Sequence, residues 1–326
     1  MTLIAALGES SDWDRPFFKR LARNDTGQAT GHQAGMVVPK DLWEFLPFLD
    51  KGDTSALNPT TEEYVRGDLY LGEEYLDSRW LRYQLQTWGG TRSPEARITD
   101  GFGLLWQKAG EGDILVFQRS AKELSHFKLT LWEKGTEGFQ AIEKLAEGRR
   151  WGPLSASLLP AQKSSFQAAK KEIDQQRNTP FRAQGNEVER RASSGNRIVR
   201  DAVFRELVKR EYGHSCAVTG IRLQTPDRLY EVEAAHIVPL KSGGTDDLRN
   251  GIALCQSLHW AFDQGLFGVS TERKVYIPRR VKETGAHRFL LELDGGKIAE
   301  AKNEPCRAHP EAFAWHMGQI VRRWEV

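Results

Sequence analysis

The chain has 326 residues, room for two domains or one large one. Its 39% hydrophobic content supports sizeable cores, and no run of eighteen apolar residues offers a membrane-spanning helix. Basic and acidic residues nearly cancel at net +2, so charge balance alone selects no class of partner.

Residues 1–155 read as mostly β. Positions 113–119 and 126–132 alternate or run apolar over strand lengths, and 102–106 is a third candidate strand. Gly and Pro punctuate between them, and one short helix is expected over 40–46, after Pro39. A mostly-β stretch of this length predicts a barrel or sandwich. Residues 156–200 turn rich in Gln, Lys, Arg, Ser and Ala, and read as a helical and extended linker with a solvated helix over 162–177. Residues 201–326 form the second domain of an α+β chain. A helix over 198–211 places Val203, Phe204, Leu207 and Val208 on one face, with Ser193 and Ser194 ahead of it as capping candidates. Phe313, Met317, Ile320, Val321 and Trp324 predict a closing amphipathic helix. The opening residues carry no basic leader pattern, so no secretory signal is expected. Cys216, Cys255 and Cys306 are too few for a disulfide framework and suit a reducing, cytoplasmic setting.

Two constellations carry chemistry. In the first, Lys19, Arg20 and Arg23 precede a glycine-punctuated polar loop over 24–35. Such a loop offers amides, an imidazole and backbone N–H groups to a phosphate or a base edge. In the second, a β-run reaches His236, Pro239 stops it, and Gly243 and Gly244 turn the chain. Asn250 and His259 follow, and a helix over 254–264 would put His259 and Asp263 on one face. A short hairpin over 267–277 is expected after it. An imidazole titrates near neutral pH and suits proton transfer from water.

The pattern His236, Ile237-x-Pro239, the Gly-Gly turn, Asn250-Gly251-x-Ala253-Leu254 and His259-x-x-Phe262-Asp263-x-Gly265 resembles the HNH endonuclease family, especially its McrA-like restriction members, over about 212–270. The resemblance implies a ββα fold around one divalent metal: magnesium first, with manganese, nickel or zinc as alternatives. It implies His236 as general base, Asn250 orienting it or reaching the metal, and His259 as a metal ligand. Asp263 is a further ligand candidate. Where many members carry a metal-ligating Asp or His before the base, this chain has Ala235, so either the metal has only two protein ligands or Glu233 or Asp246 substitutes. The cysteine pairs that hold a structural zinc in many members are reduced to Cys216 and Cys255, so no four-cysteine zinc site is expected, and both read as small buried apolar residues.

The N-terminal run Lys19-Arg20-Leu21, Asn24-Asp25-Thr26-Gly27, His32-Gln33, Gly35 and Pro39 resembles the first DNA-gripping arm of the EcoRII-type N-terminal domain, a B3-like β pseudobarrel. Residues 79–94 resemble the second arm. The resemblance covers about 15–135 and implies reading of double-stranded DNA. Candidate contacts are Lys19, Arg20, Arg23, Asn24, Thr26, His32 and Gln33 in arm one, and Arg79, Arg82, Tyr83, Gln84 and Arg92 in arm two. Most of the ten tryptophans read as core, with Trp88 beside Gly89 set apart. The expectation is a restriction endonuclease that acts as a homodimer, since one ββα site cuts one strand. A methylation-dependent nuclease and a DNA-binding regulator with an inactive HNH domain are the alternatives. No RNA-recognition signature is present, which disfavours an RNA-directed enzyme.

Overall fold

A computed structural model describes residues 12–26, 35–47, 49, 51–121, 123–155, 159–185, 197–226, 229–285 and 288–325. Two compact units emerge, Met1–Phe166 and Gln167–Val326, and the division falls inside the stretch assigned to a linker. That stretch carries an α-helix over Lys163–Gln176, where a solvated helix is expected. Among the described residues no helix is long and apolar enough to cross a membrane.

Among the described residues the first unit is one curled sheet of eight strands: β1 (Phe17–Arg20), β2 (Met36–Val38), β3 (Thr60–Leu71), β4 (Glu74–Gln86), β5 (Glu95–Asp100), β6 (Ile114–Arg119), β7 (His126–Trp132) and β8 (Trp151–Pro153). Their order is β2-β5-β4-β3-β7-β6-β1-β8. All neighbours are antiparallel except β3 and β7. Val65, Leu69, Leu81, Tyr83, Leu85, Ala96 and Ile98 alternate inward and fill the hollow side. The opposite side of β6 and β1 takes a helix over Glu137–Ala146, whose Ile142 and Ala146 pack on Phe18, Ile114 and Val116. Trp151 on the edge strand β8 donates its Nε1 to Asp41, 3.0 Å away in the short 3-10 helix Lys40–Phe45 that follows the other edge, β2. The sheet therefore curls into a half-barrel whose margins approach each other. The strand expected at 102–106 is absent. Gly101 and Gly103 adopt positive φ there and start a helix, Leu104–Lys108, in which Trp106 stacks on Phe102 with ring centroids 3.7 Å apart.

The second unit centres on a two-stranded ribbon, β9 (Glu233–His236) and β10 (Gly251–Leu254), with His236 opposite Gly251. The helix Arg197–Glu211 packs on this ribbon through buried Phe204 and Val208, and the helix Gln256–Asp263 follows β10 directly. The expected hairpin is present as Gly268–Val269 paired with Val275–Tyr276. The closing amphipathic stripe is two pieces, Pro310–Gln319 and the 3-10 turn Val321–Trp324. Trp324 Nε1 donates to the carbonyl of Gln264 at 2.8 Å, an anchorage that accompanies the change of helix type.

His316 on the closing helix lies face to face on Phe262, centroids 3.7 Å apart, and its Nε2 donates to the Phe262 carbonyl at 3.1 Å. Its Nδ1 is buried without a partner. Burial pushes its pKa down to about 4, against the opposing pull of that carbonyl. The unfolded chain then binds the extra proton first, so stability falls as pH drops from about 6.5 to about 4. A shift from 6.5 to about 4 corresponds to roughly 3 kcal/mol. Denaturant titrations at pH 7 and pH 4.5 will show this loss, and His316→Leu will flatten it; equal pH slopes in both proteins would refute the assignment.

Candidate active site

β9 delivers His236 to the mouth of a loop over 237–250, and that loop is built to hold one partner against it. Pro239 ends the strand and a 3-10 turn, Leu240–Ser242, leads to Gly243 at φ +87°. A side chain on Gly244 would stand 1.9 Å from the Val238 carbonyl, so only glycine fits the return. Asn250 closes the loop from inside and is completely buried. Its Oδ1 accepts the Val238 N–H at 2.8 Å, and its Nδ2 donates to the carbonyls of Val238 at 3.0 Å and Thr245 at 2.9 Å. The side chain expected to orient the base or reach a metal is thus committed to backbone, and in this geometry it braces the loop instead of facing a cation.

The brace positions Asp246. His236 Nε2 lies 3.1 Å from Asp246 Oδ1, and Arg200 Nε lies 3.2 Å from the other oxygen. Burial alone would raise the Asp246 carboxyl, but the hydrogen bonds and charges of His236 and Arg200 outweigh it and hold the pKa below the ordinary value. An ionised carboxylate only accepts, so Nε2 carries a proton, and in the neutral ring the lone pair is the one on Nδ1. No hydrogen bond to Nδ1 occurs among the described residues. The imidazole also stacks on Phe204, centroids 3.9 Å apart, and its side chain is 12% exposed. Arg200 is held in turn by Glu172 at 2.6 Å.

On the helix Gln256–Asp263, His259 Nδ1 meets Glu233 Oε2 at 2.7 Å, and its Nε2 faces Asp263 Oδ2 at 3.7 Å. Glu233 shares a strand face with Ala235, two residues on. It therefore brings a carboxylate to the side where the expected ligand is missing, though it reaches His259 through the far nitrogen. A carboxylate behind one ring nitrogen orients the other toward a cation. The His259–Asp263 separation is too long for a hydrogen bond. Among the described residues no group of three or more His, Cys, Asp and Glu is gathered tightly enough to hold a metal. The donors fit a hard divalent ion that keeps waters and takes one or two protein groups plus substrate phosphate. Cys255 starts this helix with its thiol pushed up to about 11, first by burial, and Cys216 beside it is buried.

In the first unit the candidate DNA residues separate. Lys19 and Tyr83 correct the sequence reading, since both are buried. Lys19 pairs with Asp25 at 2.6 Å, and burial lowers its pKa in spite of that partner. Tyr83 faces the core because β4 alternates, and burial raises its hydroxyl pKa. Arg20 pairs with Glu143. Thr26 is buried with its hydroxyl on the Arg23 carbonyl at 3.1 Å, whereas Arg23 and Asn24 are exposed. His32 and Gln33 lie outside the described residues. Arg82 and Gln84 point outward on β4, Arg82 to Glu62 and Gln84 to Thr99. Arg79 pairs with Asp77 at 2.7 Å, and Arg92 lies over the Trp88 ring at 5.4 Å. Arg97, not singled out from sequence, joins this outward face beside Glu95.

Asp25 was also missed. Its two oxygens accept the N–H groups of Ala22 at 2.7 Å and Val37 at 2.9 Å, tying together the chain on either side of 27–34. Gly35 completes the root; at φ +127° a side chain there would strike Thr99 Cα at 2.7 Å. Gly35 thus sits by Thr99 on β5, while residues 87–94 enter β5 at Glu95. Thr99, beside Gly35, and Glu95 are four residues apart on one strand, about 13 Å.

Residues 216–270 match the family model described as HNH endonuclease, and residues 12–132 match that of the restriction endonuclease EcoRII, N-terminal. The chain carries an HNH endonuclease domain behind an EcoRII-N-type domain. Among solved structures it is similar to one titled "Modification dependent TagI restriction endonuclease", at 25% identity and a TM-score of 0.29. The shared stretch covers 37% of this chain and 39% of that one. No curated protein matches the chain. The HNH match contains His236, Asp246, Asn250, His259 and Asp263, and the EcoRII-N match contains both arms.

Removing one partner of a buried ion pair strands the other charge, at about 3–5 kcal/mol. Asp25→Ala should therefore lower the melting temperature of the EcoRII-N-type domain, and the double variant Lys19→Met with Asp25→Ala should recover part of it. A single variant that melts with wild type would show that the pair does not hold the arm root.

Proposed function

We propose that the protein is a restriction-type endonuclease that binds a short duplex DNA sequence through its N-terminal domain and hydrolyses the backbone at the HNH site. The observation that carries the reading is the His236–Asp246 contact, which leaves Nδ1 of a fixed imidazole as the proton acceptor. We read the curled sheet as a B3-like pseudobarrel, with the outward face of β4 and β5 between two arms as the DNA-facing side.

His236 Nδ1 takes a proton from water as the water oxygen attacks phosphorus in line, and the bond to the 3′ oxygen breaks. The 3′ oxygen leaves as an alkoxide and takes a proton from solvent, so the products are 5′-phosphate and 3′-hydroxyl ends. Asp246 holds the Nε2–H tautomer and stabilises the imidazolium that forms, in the manner of a triad carboxylate. Asn250 keeps Asp246 in place. His259 and Asp263 would hold the divalent cation, with Glu233 fixing the His259 ring. That cation supplies charge neutralisation at the scissile phosphate and the departing oxygen. One such site cuts one strand, so we read the working unit as a homodimer joined through the C-terminal half. A modification-dependent nuclease shares this chemistry and differs in what the N-terminal domain accepts.

Plasmid nicking in magnesium, abolished by EDTA, tests the reading. His236→Ala should lose about 10²–10⁴-fold in rate, as removal of a general base does. Asp246→Asn should lose at least roughly ten-fold, since it spoils the orientation of a reacting imidazole. Undiminished cutting by His236→Ala would remove the proposed base. Matched methylated and unmethylated plasmids decide between the orthodox and modification-dependent enzymes, and no cutting of any plasmid would favour a DNA-binding regulator.

A further inference from the structure

The chain's basic excess is concentrated in the stretch read from sequence as a linker. Residues 163–200 hold nine Lys and Arg against four Asp and Glu, an excess of five, whereas the whole chain has an excess of only two. The rest of the sequence is therefore net acidic. The helix Lys163–Gln176 turns Ala169 and Ile173 inward and leaves Lys170 and Lys171 exposed. Both line an open hollow with Arg177, in which Asp174 is the acidic neighbour. Arg182 stands exposed farther along. Among the described residues Lys170, Lys171 and Arg182 have no carboxylate partner. The outward arginines of the N-terminal domain differ: Arg66, Arg82 and Arg97 are each paired.

The chain beyond this helix is fastened to the HNH domain. Arg249 Nη2 donates to the Gln176 carbonyl at 2.8 Å, and the Phe181 ring stacks on His309 with centroids 4.3 Å apart. Gln184 Nε2 donates to the Ser242 carbonyl at 2.8 Å, and the Gly185 N–H to the Gly243 carbonyl at 2.9 Å. Ser242 and Gly243 belong to the loop that holds Asp246 against His236. A spacer that only separates two domains needs no such fastening to a catalytic loop. A lysine ammonium is a compact charge on a flexible stem, suited to phosphate oxygens and to no particular base edge.

We propose that Lys170, Lys171 and Arg182 form a backbone track for duplex DNA, holding phosphates that adjoin the stretch cut at the HNH site. The inference rests on the reading that the protein is a DNA endonuclease. The track adds affinity without sequence preference. Arg177 shares the exposed side, but its guanidinium also hydrogen-bonds with the Cys306 thiol and so serves the fold as well.

The test is binding of a fluorescent duplex of mixed sequence by the full-length protein, in EDTA, across a sodium chloride series. Each phosphate contact contributes about 0.9 to the slope of log affinity against log salt. The triple variant Lys170→Gln, Lys171→Gln and Arg182→Gln should therefore lower that slope by about 2–3. Its affinity at about 0.1 M salt should fall roughly ten-fold or more, and by the same factor for every duplex sequence. The charge-keeping variant Lys170→Arg, Lys171→Arg and Arg182→Lys should bind as the wild type does. A glutamine variant with wild-type slope and affinity overturns this inference and leaves the endonuclease reading intact, as does an equal loss in both variants. No duplex binding by the wild type overturns both.

Discussion

The amide of Asn250 is the contact on which the HNH site depends. It is completely buried, and it satisfies three backbone groups at once. An amide is suited to this because it both donates and accepts; a carboxylate of the same shape would repel the two carbonyls. Through it the fold fixes where β9 ends and where Asp246 stands, and hence which nitrogen of His236 is open. The orientation of the proposed base is thus set by a residue that does not touch it.

The N-terminal domain uses the same economy with a charge in place of an amide. Asp25 collects two backbone N–H groups and the Lys19 ammonium at the root of an arm. In each domain one buried polar side chain ties together backbone from separate points of the chain. Full satisfaction of such a group is what makes it a constraint and not a defect.

Much of the second domain was legible because its signals are local. His236, Pro239, the double glycine, Asn250 and the four-residue step from His259 to Asp263 lie in one short stretch, and the strand, turn and helix follow from it. Partnerships across the fold were not legible. Phe204 under the His236 ring and Arg200 on Asp246 come from a distant helix, and nothing in their spacing announces it. In the first domain the strands at 114–119 and 126–132 showed as apolar runs, but the long β3–β4 hairpin did not. Its outward face is so charged that the alternation is hidden until the sheet is seen. Lys19 and Tyr83 were misread for a related reason: a polar residue type says nothing about which side of a strand it occupies.

The ion pairs on that outward face have a consequence of their own. Arg66, Arg82 and Arg97 each stand beside an aspartate or glutamate of the same hairpin or its neighbour. The Arg82–Glu62 pair is exposed, and exposed pairs are weak, about 0–1 kcal/mol each, so a phosphate can displace that carboxylate at short range. At longer range the charges cancel, and the surface is nearly silent to a passing polyanion. The face surrenders fast electrostatic capture and, with it, indiscriminate adhesion to any nucleic acid nearby.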